Sequence, residues 1–231
     1  LKNVIHRHHL NHRAFNNDPD VSILRDTNQR LSSIQKHTLF LLNQLFGSVQ
    51  FVSDNIDQYD KKTMELYLSQ FPLKTKTIKQ VVGANNQYHI LFTLNDLSYV
   101  VYSNLSDKIY SILIDTNTIL FDSNKKQFIT KNDTIVLQAY ESICLQYVNL
   151  NTPISLVGSS HLFPSSEINQ FEVNQTNSVQ VSIDPKCQQA STIFIKVPHE
   201  TKELIVNNNI YLPTIVNNFA YITALLSTNS D

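Results

Sequence analysis

The chain has 231 residues, of which 42 % are apolar and 16 % are charged, and its formal net charge is -1. This length allows one large domain or two small ones with an ordinary core. The near-neutral charge excludes the basic field that is typical of nucleic-acid-binding proteins. No run of 18 apolar residues is present, so no membrane span is predicted.

Two cysteines, Cys144 and Cys187, are too few for a disulfide framework. They are expected to be buried thiols in a reducing compartment. The first residues lack the charged-then-apolar pattern of a secretory leader, so a cytoplasmic location is expected.

The first part of the chain alternates between strand and helix signals. A turn signal at residues 16–20 precedes a short apolar stretch, and residues 32–46 have helical spacing, with Ser32 and Gln35 forming a possible capping box. Gly47 is expected to end this helix in a left-handed conformation. A strand at 48–54 and a helix at about 58–70, stopped by Pro72, complete the order, which implies parallel strands.

A polar linker is predicted at 73–86, and the rest of the chain is predicted to be antiparallel β structure in a sandwich. The predicted domains are therefore 1–73 and 86–231, the second with two sub-units split near residue 150. The strands are expected at 88–94, 97–102, 108–114, 134–137, 142–147, 178–183, 192–197, 204–206 and 220–225.

Two short motifs combine acidic side chains with strand ends. In Asn17-Asp18-Pro19-Asp20, two carboxylates flank a rigid proline, and Arg25 follows five residues later. Fixed carboxylates can bind sugar hydroxyls or carry out glycoside hydrolysis, although a single four-residue match is also typical of an ordinary turn. Asp54 follows the second predicted strand, at the end that carries active sites in α/β barrels, or else caps a helix.

Two further groups of residues are candidate sites, one for a metal ion and one for a nucleophile and its base. His6, His8, His9 and His12 have a spacing that could bind zinc if His6 and His8 shared a strand face, but nothing completes a known ligand set, so no metal site is predicted. Residues 158–164 contain Ser159, Ser160 and His161 but lack the G-x-S-x-G signature, so a loop is favoured over a nucleophile and base.

These pieces in this order resemble glycoside hydrolase family 36, the α-galactosidase-like enzymes of clan D. Four stretches carry the resemblance: 8–25 with its Asn-Asp-Pro-Asp motif, the helix at 35–47, the Ser-Asp strand at 51–56 with Tyr59, and 156–168. The chain departs from the family pattern at Ser160 and Ser165, where glycine is usual, and at His12, where a small residue is frequent.

The resemblance implies that residues 1–73 are the last two β/α units of a (β/α)8 barrel, followed by an antiparallel β domain. It implies a retaining hydrolase of α-galactoside-type sugars whose two catalytic aspartates lie on earlier strands, so no catalytic residue is assigned in this chain. Asp18, Asp20, Arg25 and Asp54 are the predicted substrate-binding residues, and no cofactor is expected. The chain alone is expected to be inactive.

Two alternatives stay open. The first is a non-catalytic β-rich carbohydrate-binding or interaction module, which does not account for the strand-helix-strand-helix beginning. The second is a free-standing hydrolase that uses Asp18, Asp20 or Asp54, although retaining chemistry needs a carboxyl pair about 5 Å apart. Because two isolated barrel units have open strand edges, they are expected to pack on the β domain or to form a homo-oligomer. Partners other than a sugar, such as nucleic acid or a membrane, are not expected.

Overall fold

The computed structural model describes residues 1–175, 177–216 and 218–227. The helices within these ranges are α1 (Lys2–His6), α2 (Ser33–Phe46) and α3 (Lys61–Leu68), with 3-10 turns at His8–Leu10 and Ile56–Gln58. Nearly all the other regular elements are β-strands. None of the helices in the described ranges combines the length and apolarity needed to cross a bilayer.

The first part of the chain contains a short parallel pair, β1 (Val21–Ser22) and β2 (Phe51–Val52). Helix α2 connects these strands and α3 follows them, so the predicted order of strand, helix, strand and helix is confirmed. The second strand and the second helix are shorter than predicted. The barrel start that the family resemblance implies for residues 1–73 is not evident in the described residues, because the sheet that contains β1 and β2 has only these two strands.

Helix α2 begins where its sequence signal predicts. The Ser32 hydroxyl accepts the Gln35 N–H at 3.2 Å, and the Gln35 side chain accepts the Ser32 N–H at 2.8 Å, which completes the capping box. The prediction for Gly47 is wrong, because its φ is -78° and its backbone is extended. Close packing is the reason for glycine here: a Cβ would lie 2.8 Å from Pro19 Cγ and 2.7 Å from the Asn43 carbonyl oxygen.

The predicted linker at 73–86 is also wrong. Residues Thr77–Ala84 form β3, an edge strand that pairs with β4 (Gln87–Leu94) through a turn at Asn85 and Asn86, both with positive φ. Most side chains of β3 are exposed, as is typical of an edge strand, and Lys79, Gln80 and Gly83 among them are typical of a linker. The β structure therefore begins at residue 77 rather than at 86.

The largest sheet has six strands. Beside β3 and β4 it contains β5 (Leu97–Asn104), β7 (Leu120–Asp122), β8 (Gln127–Ile129) and β10 (Ser142–Tyr147). Their order is β3-β4-β5-β10-β7-β8. Its pairs are antiparallel, and the predicted strands 134–137 and 142–147 have the predicted bounds. A separate two-stranded sheet pairs β6 (Tyr110–Leu113) with β9 (Thr134–Leu137).

Two four-stranded sheets follow. The first contains, in this order, β11 (Ser155–Ser159), β14 (Ser191–Val197), β18 (Phe219–Leu226) and β17 (Thr214–Val216). The second contains, in this order, β12 (Ile168–Gln175), β13 (Ser178–Ile183), β15 (Leu204–Val206) and β16 (Asn209–Tyr211). The inward faces of these two sheets share one apolar core, so the predicted sandwich is confirmed for this part, and its strand pairs are antiparallel except for the parallel pair of β13 with β15.

The helices do not form a core of their own. Phe40 and Phe46 of α2 belong to the same buried cluster as Phe92 of β4 and Tyr99 of β5. Tyr99 also donates a hydrogen bond to the Pro164 carbonyl at 2.6 Å. The first part of the chain therefore packs on the large sheet, which is one of the two outcomes that its open strand edges predict.

Candidate functional site

The carboxyl ends of β1 and β2 are joined by an ion pair between Arg25 and Asp54. The Arg25 guanidinium also donates to the Ser53 carbonyl at 3.0 Å, and the Asp54 side chain is fully buried. Both residues belong to the predicted substrate-binding set, and the parallel register brings them together across the two strand ends.

The carboxylate of Asp54 is also bound by three other donors. Its Oδ2 accepts the Leu24 N–H at 2.6 Å, the Arg25 N–H at 3.0 Å and the Tyr59 hydroxyl at 2.6 Å. Burial alone would raise the pKa of Asp54, but these bonds and the one from the Arg25 side chain hold it below its usual value. Burial and the bond to Asp54 raise the pKa of Tyr59.

Lys36 ties helix α2 to the same end of β1. Its ammonium donates to the carbonyls of Leu24 at 3.0 Å and Arg25 at 3.3 Å, and it pairs with Asp26. The arrangement of Lys36, Arg25 and Asp54 fixes the backbone after β1 from two sides. Asp54 uses its acceptors on protein donors, so in this structure it orders the strand ends.

Asp18 and Asp20 lie at the opposite end of β1. Both are exposed, and the Asp18 carboxylate accepts the Asp20 N–H at 2.9 Å in a turn where Asp20 has a φ of 70°. The predicted set of four is thus divided: the structure joins Arg25 with Asp54 and separates both from Asp18 and Asp20. The reason is that the Asn-Asp-Pro-Asp motif precedes β1, whereas Arg25 follows it.

The motif is anchored through its first residue. Asn17 is buried and donates to the carbonyls of Phe46 at 3.2 Å and Val4 at 3.4 Å. Its own N–H is bound by Asn11 at 2.8 Å, and Pro19 packs on Gly47. The loop that presents the two exposed carboxylates is therefore held against the end of α2.

The histidine-rich segment is helical, so the prediction that His6 and His8 share a strand face is wrong. His6 contacts the Tyr88 hydroxyl at 3.2 Å, His8 contacts the Ile5 carbonyl at 2.8 Å, and His12 contacts the Ser48 hydroxyl at 3.3 Å. Three separate partners hold these rings. Across the described residues no three His, Cys, Asp or Glu side chains group as ligands for a metal ion.

The segment 158–167 contains a buried polar cluster that the sequence motifs did not predict. Ser159 donates to Glu167 at 3.0 Å and accepts the His161 backbone N–H at 3.3 Å, and Ser160 accepts the Thr192 N–H at 3.0 Å. Neither hydroxyl bonds to the imidazole of His161, as a nucleophile would. His161 instead lies between Glu167 and Cys187. Cys187 is distant in sequence, so no local spacing could have indicated it.

Two neighbouring clefts separate the helices from the β sheets. One has a volume of about 520 Å³ and is lined by His37, Lys62, Glu65 and His161, among others. The other, of about 450 Å³, is lined by residues that include Asp26, Asp60 and Glu141. Burial is the main reason why the pKa of His37, which lines both clefts, is lowered.

No family model matches the sequence, and no curated protein matches it. Among solved structures, a GH27 β-L-arabinopyranosidase from Geobacillus stearothermophilus, in complex with arabinose, matches with a TM-score of 0.51 and 14 % identity. The match covers 64 % of this chain and 41 % of that enzyme. The likeness is one of fold. It relates the mostly antiparallel β chain to part of a glycoside hydrolase.

Two weaker matches are a candidate α-galactosidase from Bacteroides fragilis and a candidate α-N-acetylgalactosaminidase from Bacillus halodurans. The first has a TM-score of 0.48 and 12 % identity, and covers 58 % of this chain and 33 % of that one. The second has a TM-score of 0.42 and 17 % identity, and covers 51 % of this chain and 32 % of that one. The chain thus spans less than half the length of each of these proteins.

Proposed function

We propose that this chain is the C-terminal portion of a retaining, α-galactosidase-like glycoside hydrolase. In this proposal residues 1–73 are the last two β/α units of a (β/α)8 barrel, and the β sheets that begin at residue 77 form the domain behind it. The nucleophile and the acid/base belong to earlier barrel strands, so the chain alone is inactive. The sugar is of the α-galactoside type, and the location is cytoplasmic.

The observation that carries this proposal is the parallel pairing of β1 with β2 across the crossover helix α2, followed directly by antiparallel sheets. The carboxyl ends of barrel strands carry the active-site loops. The Arg25–Asp54 pair fixes the backbone at those ends. The fold likeness to a GH27 enzyme supports the same assignment.

Within this proposal the four predicted residues have two roles. Arg25 and Asp54 hold the strand ends in place, because the carboxylate is fully buried and bound by protein donors. Asp18 and Asp20 lie at the amino end of β1, opposite the carboxyl ends that carry active-site loops, so we assign them to the turn before this strand rather than to contacts with the sugar.

Sequencing the gene upstream of the Leu1 codon and assaying the complete product tests this proposal. The complete protein should hydrolyse p-nitrophenyl α-galactoside or a related pyranoside, and the 231-residue chain should not. Hydrolysis by the 231-residue chain alone, or no hydrolysis by the complete product, would contradict the proposal.

A cleft on the β sheets supports the second candidate, a carbohydrate-binding module without catalysis. It has a volume of about 620 Å³ and is lined by the amide groups of Asn95, Asn149, Asn169 and Gln170 beside Phe171. Amides and an aromatic face are groups that bind sugars. Calorimetric titration of the 231-residue chain with galactose and with arabinose distinguishes the two candidates, because only the binding module retains affinity without the upstream strands.

A further inference from the structure

A thiol, an imidazole and a carboxylate are aligned in the interior of the β region. Glu167 has no exposed surface, and His161 and Cys187 are only 4 % and 6 % exposed. His161 and Glu167 lie in the segment between β11 and β12, and Cys187 lies in the loop between β13 and β14. The three residues do not belong to the strand-end site, and the proposed function does not use them.

The imidazole of His161 connects the other two side chains. Its Nε2 lies 3.3 Å from the Cys187 sulfur, and its Nδ1 lies 3.3 Å from Glu167 Oε1. The second contact is an ion pair rather than a well-aligned hydrogen bond, since Nδ1 has no partner of hydrogen-bond geometry. A nucleophile, a base and an orienting carboxylate in this order form the arrangement that activates thiols.

Two hydroxyl groups hold the carboxylate of Glu167 in its charged form. Ser191 donates to Oε1, and Ser159 donates to Oε2 at 3.0 Å. Burial would raise the pKa of Glu167, but the adjacent His161 and the bond from Ser191 keep it below its usual value. A charged Glu167 in turn favours the protonated imidazole.

His161 is cationic at neutral pH. Burial would lower its pKa, but the contacts with Cys187 and Glu167 and the negative charge of Glu167 raise it to about 9. Other titratable groups face the same cleft from the packed elements: His37 of α2, Lys62 and Glu65 of α3, and Cys144 of β10. The direct contacts of His161 are nevertheless Glu167 and Cys187, so the imidazolium lies beside a sulfur atom that it can stabilise as a thiolate.

The geometry does not suit a metal ion. The sulfur of Cys187 and the carboxylate of Glu167 contact opposite nitrogens of one ring, so the three ligands do not converge on a common point. The described residues contain no group of three potential ligands elsewhere in this region. The alignment fits proton transfer along the ring better than coordination.

The cleft of about 520 Å³ offers a small reagent a route to this cluster. His161 forms part of its wall, together with Gln189 and Ala190 of the loop that carries Cys187. The Cys187 thiol donates a hydrogen bond to the Gln189 carbonyl at 3.2 Å, so it lies directly behind the wall of the cleft.

We propose that Cys187 is a reactive thiol, activated by the buried His161–Glu167 pair, and that it is a modification site for small disulfides. The Cys187 thiolate attacks one sulfur of the disulfide, a new S–S bond forms, and the original S–S bond breaks. The leaving sulfur departs with the electron pair and takes the proton that His161 holds. The product is a mixed disulfide in the cleft wall, and no other oxidant is needed.

The test uses the Cys144→Ser chain, in which Cys187 is the only thiol, and methyl methanethiosulfonate as a compact probe. The rate of labelling is followed by intact mass between pH 5.5 and 9. The rate at pH 6 should lie within about threefold of the rate at pH 8, whereas an ordinary thiol with a pKa of about 8.5 would lose almost a hundredfold over this range. The Cys187→Ser chain, which keeps Cys144, should label at least about tenfold more slowly at pH 6 than the Cys144→Ser chain.

Two further variants of the Cys144→Ser chain test whether His161 and Glu167 activate the Cys187 thiol. His161→Gln should reduce the rate at pH 6 at least about tenfold and restore the pH dependence of an ordinary thiol. Glu167→Gln should have a smaller effect in the same direction, since it removes the charge that favours the imidazolium. If either variant fails to fold, as judged by circular dichroism, the pH profile of the Cys144→Ser chain decides alone. A rate that rises tenfold per pH unit, or labelling that occurs only after denaturation, would overturn the proposal.

Discussion

Arg25 and Asp54 join the carboxyl ends of the two parallel strands by an ion pair whose carboxylate is buried. The same carboxylate binds the backbone N–H groups of Leu24 and Arg25 and the hydroxyl of Tyr59. One side chain from the second strand therefore fixes both the backbone and the side chain that follow the first strand. This makes the pair the main polar connection between the two strand ends.

Asp54→Asn should destabilise the fold by about 1–3 kcal/mol, because it leaves the partly exposed Arg25 guanidinium and several donors without a charged acceptor. Urea unfolding followed by circular dichroism measures the change. Asp57→Asn, on the exposed 3-10 turn, is the matched control and should change stability by less than about 0.5 kcal/mol. Equal effects of the two substitutions would show that the ion pair does not stabilise the strand ends.

The sequence predicts both Arg25 and Asp54 as site residues, but it also predicts that Asp18 and Asp20 join them, which the structure does not show. Arg25 and Asp54 were both placed near strand ends from local spacing, and the parallel register aligns Ser22 with Val52, just before them. Asp18 and Asp20 were grouped with Arg25 because they are close in sequence. A two-residue strand nevertheless separates them, since a strand extends about 3.3 Å per residue.

Local signals predicted α2 and many strands well, because capping and alternation depend on neighbouring residues. Polar residues such as Lys79 and Gln80, together with Gly83, interrupt the apolar residues of the edge strand β3, so its sequence predicts a linker. The contact between His161 and Cys187 joins residues that are 26 positions apart. No periodic pattern records such a contact, because it depends on how two sheets pack.

Departures from the resembled family coincide with unusual backbone conformations at two positions. Ser165 has a φ of 67° and His12 has a φ of 62°, a region in which glycine is favoured. Ser165 is held there by its hydroxyl bond to Gln146 at 2.8 Å. The side chain therefore compensates for a conformation that the residue type alone disfavours.

The capping box of α2 gives a local test of stability. Ser32→Ala removes the hydroxyl that accepts the Gln35 N–H, so the free energy of unfolding should fall by about 1 kcal/mol. Ser33→Ala, one residue later and inside the helix, is the control and should have little effect or a slightly stabilising one. Thermal or urea unfolding distinguishes the two, and an equal loss would contradict the capping role of Ser32.

The buried His161–Glu167 pair should make stability fall at alkaline pH. Because the pKa of His161 is higher in the folded state than in the unfolded state, its protonation stabilises the fold fully below the unfolded pKa of about 6.5. This contribution is lost as the pH rises through about 9. The loss is at most about 3 kcal/mol, since one pKa unit corresponds to about 1.4 kcal/mol. Urea unfolding at intervals between pH 6 and 9.5 measures it in the Cys187→Ser chain, which serves here as the unsubstituted reference, because ionisation of the Cys187 thiol would change stability in the opposite direction.

The matched comparison for this pH dependence is His161→Gln against His199→Gln, which replaces an exposed histidine. The stability difference between the unsubstituted chain and the His161 variant should shrink as pH rises through this window. The His199 variant should follow the unsubstituted chain throughout. An NMR titration that places the pKa of His161 below 6.5 would rule out this mechanism whether or not the variant folds.

Gly47 should be intolerant of even a methyl group, for steric reasons alone. Its φ of -78° is accessible to alanine, but the added Cβ would lie 2.8 Å from Pro19 Cγ and 2.7 Å from the Asn43 carbonyl oxygen. Gly47→Ala should therefore cost about 1–3 kcal/mol of stability, the range for overpacking a tight site.

A double-mutant cycle with Pro19→Ala, measured by urea unfolding, separates this clash from a backbone effect. Removing the proline ring takes away one of the close contacts, so Gly47→Ala should cost less in the Pro19→Ala background, with a coupling energy of at least about 0.5 kcal/mol. Additive effects would mean that Gly47 and the Asn-Asp-Pro-Asp loop are not packed as the structure shows. Coupled effects would establish that the glycine after α2 is required by the loop that carries Asp18 and Asp20, because the proline between these two residues occupies the space of its side chain.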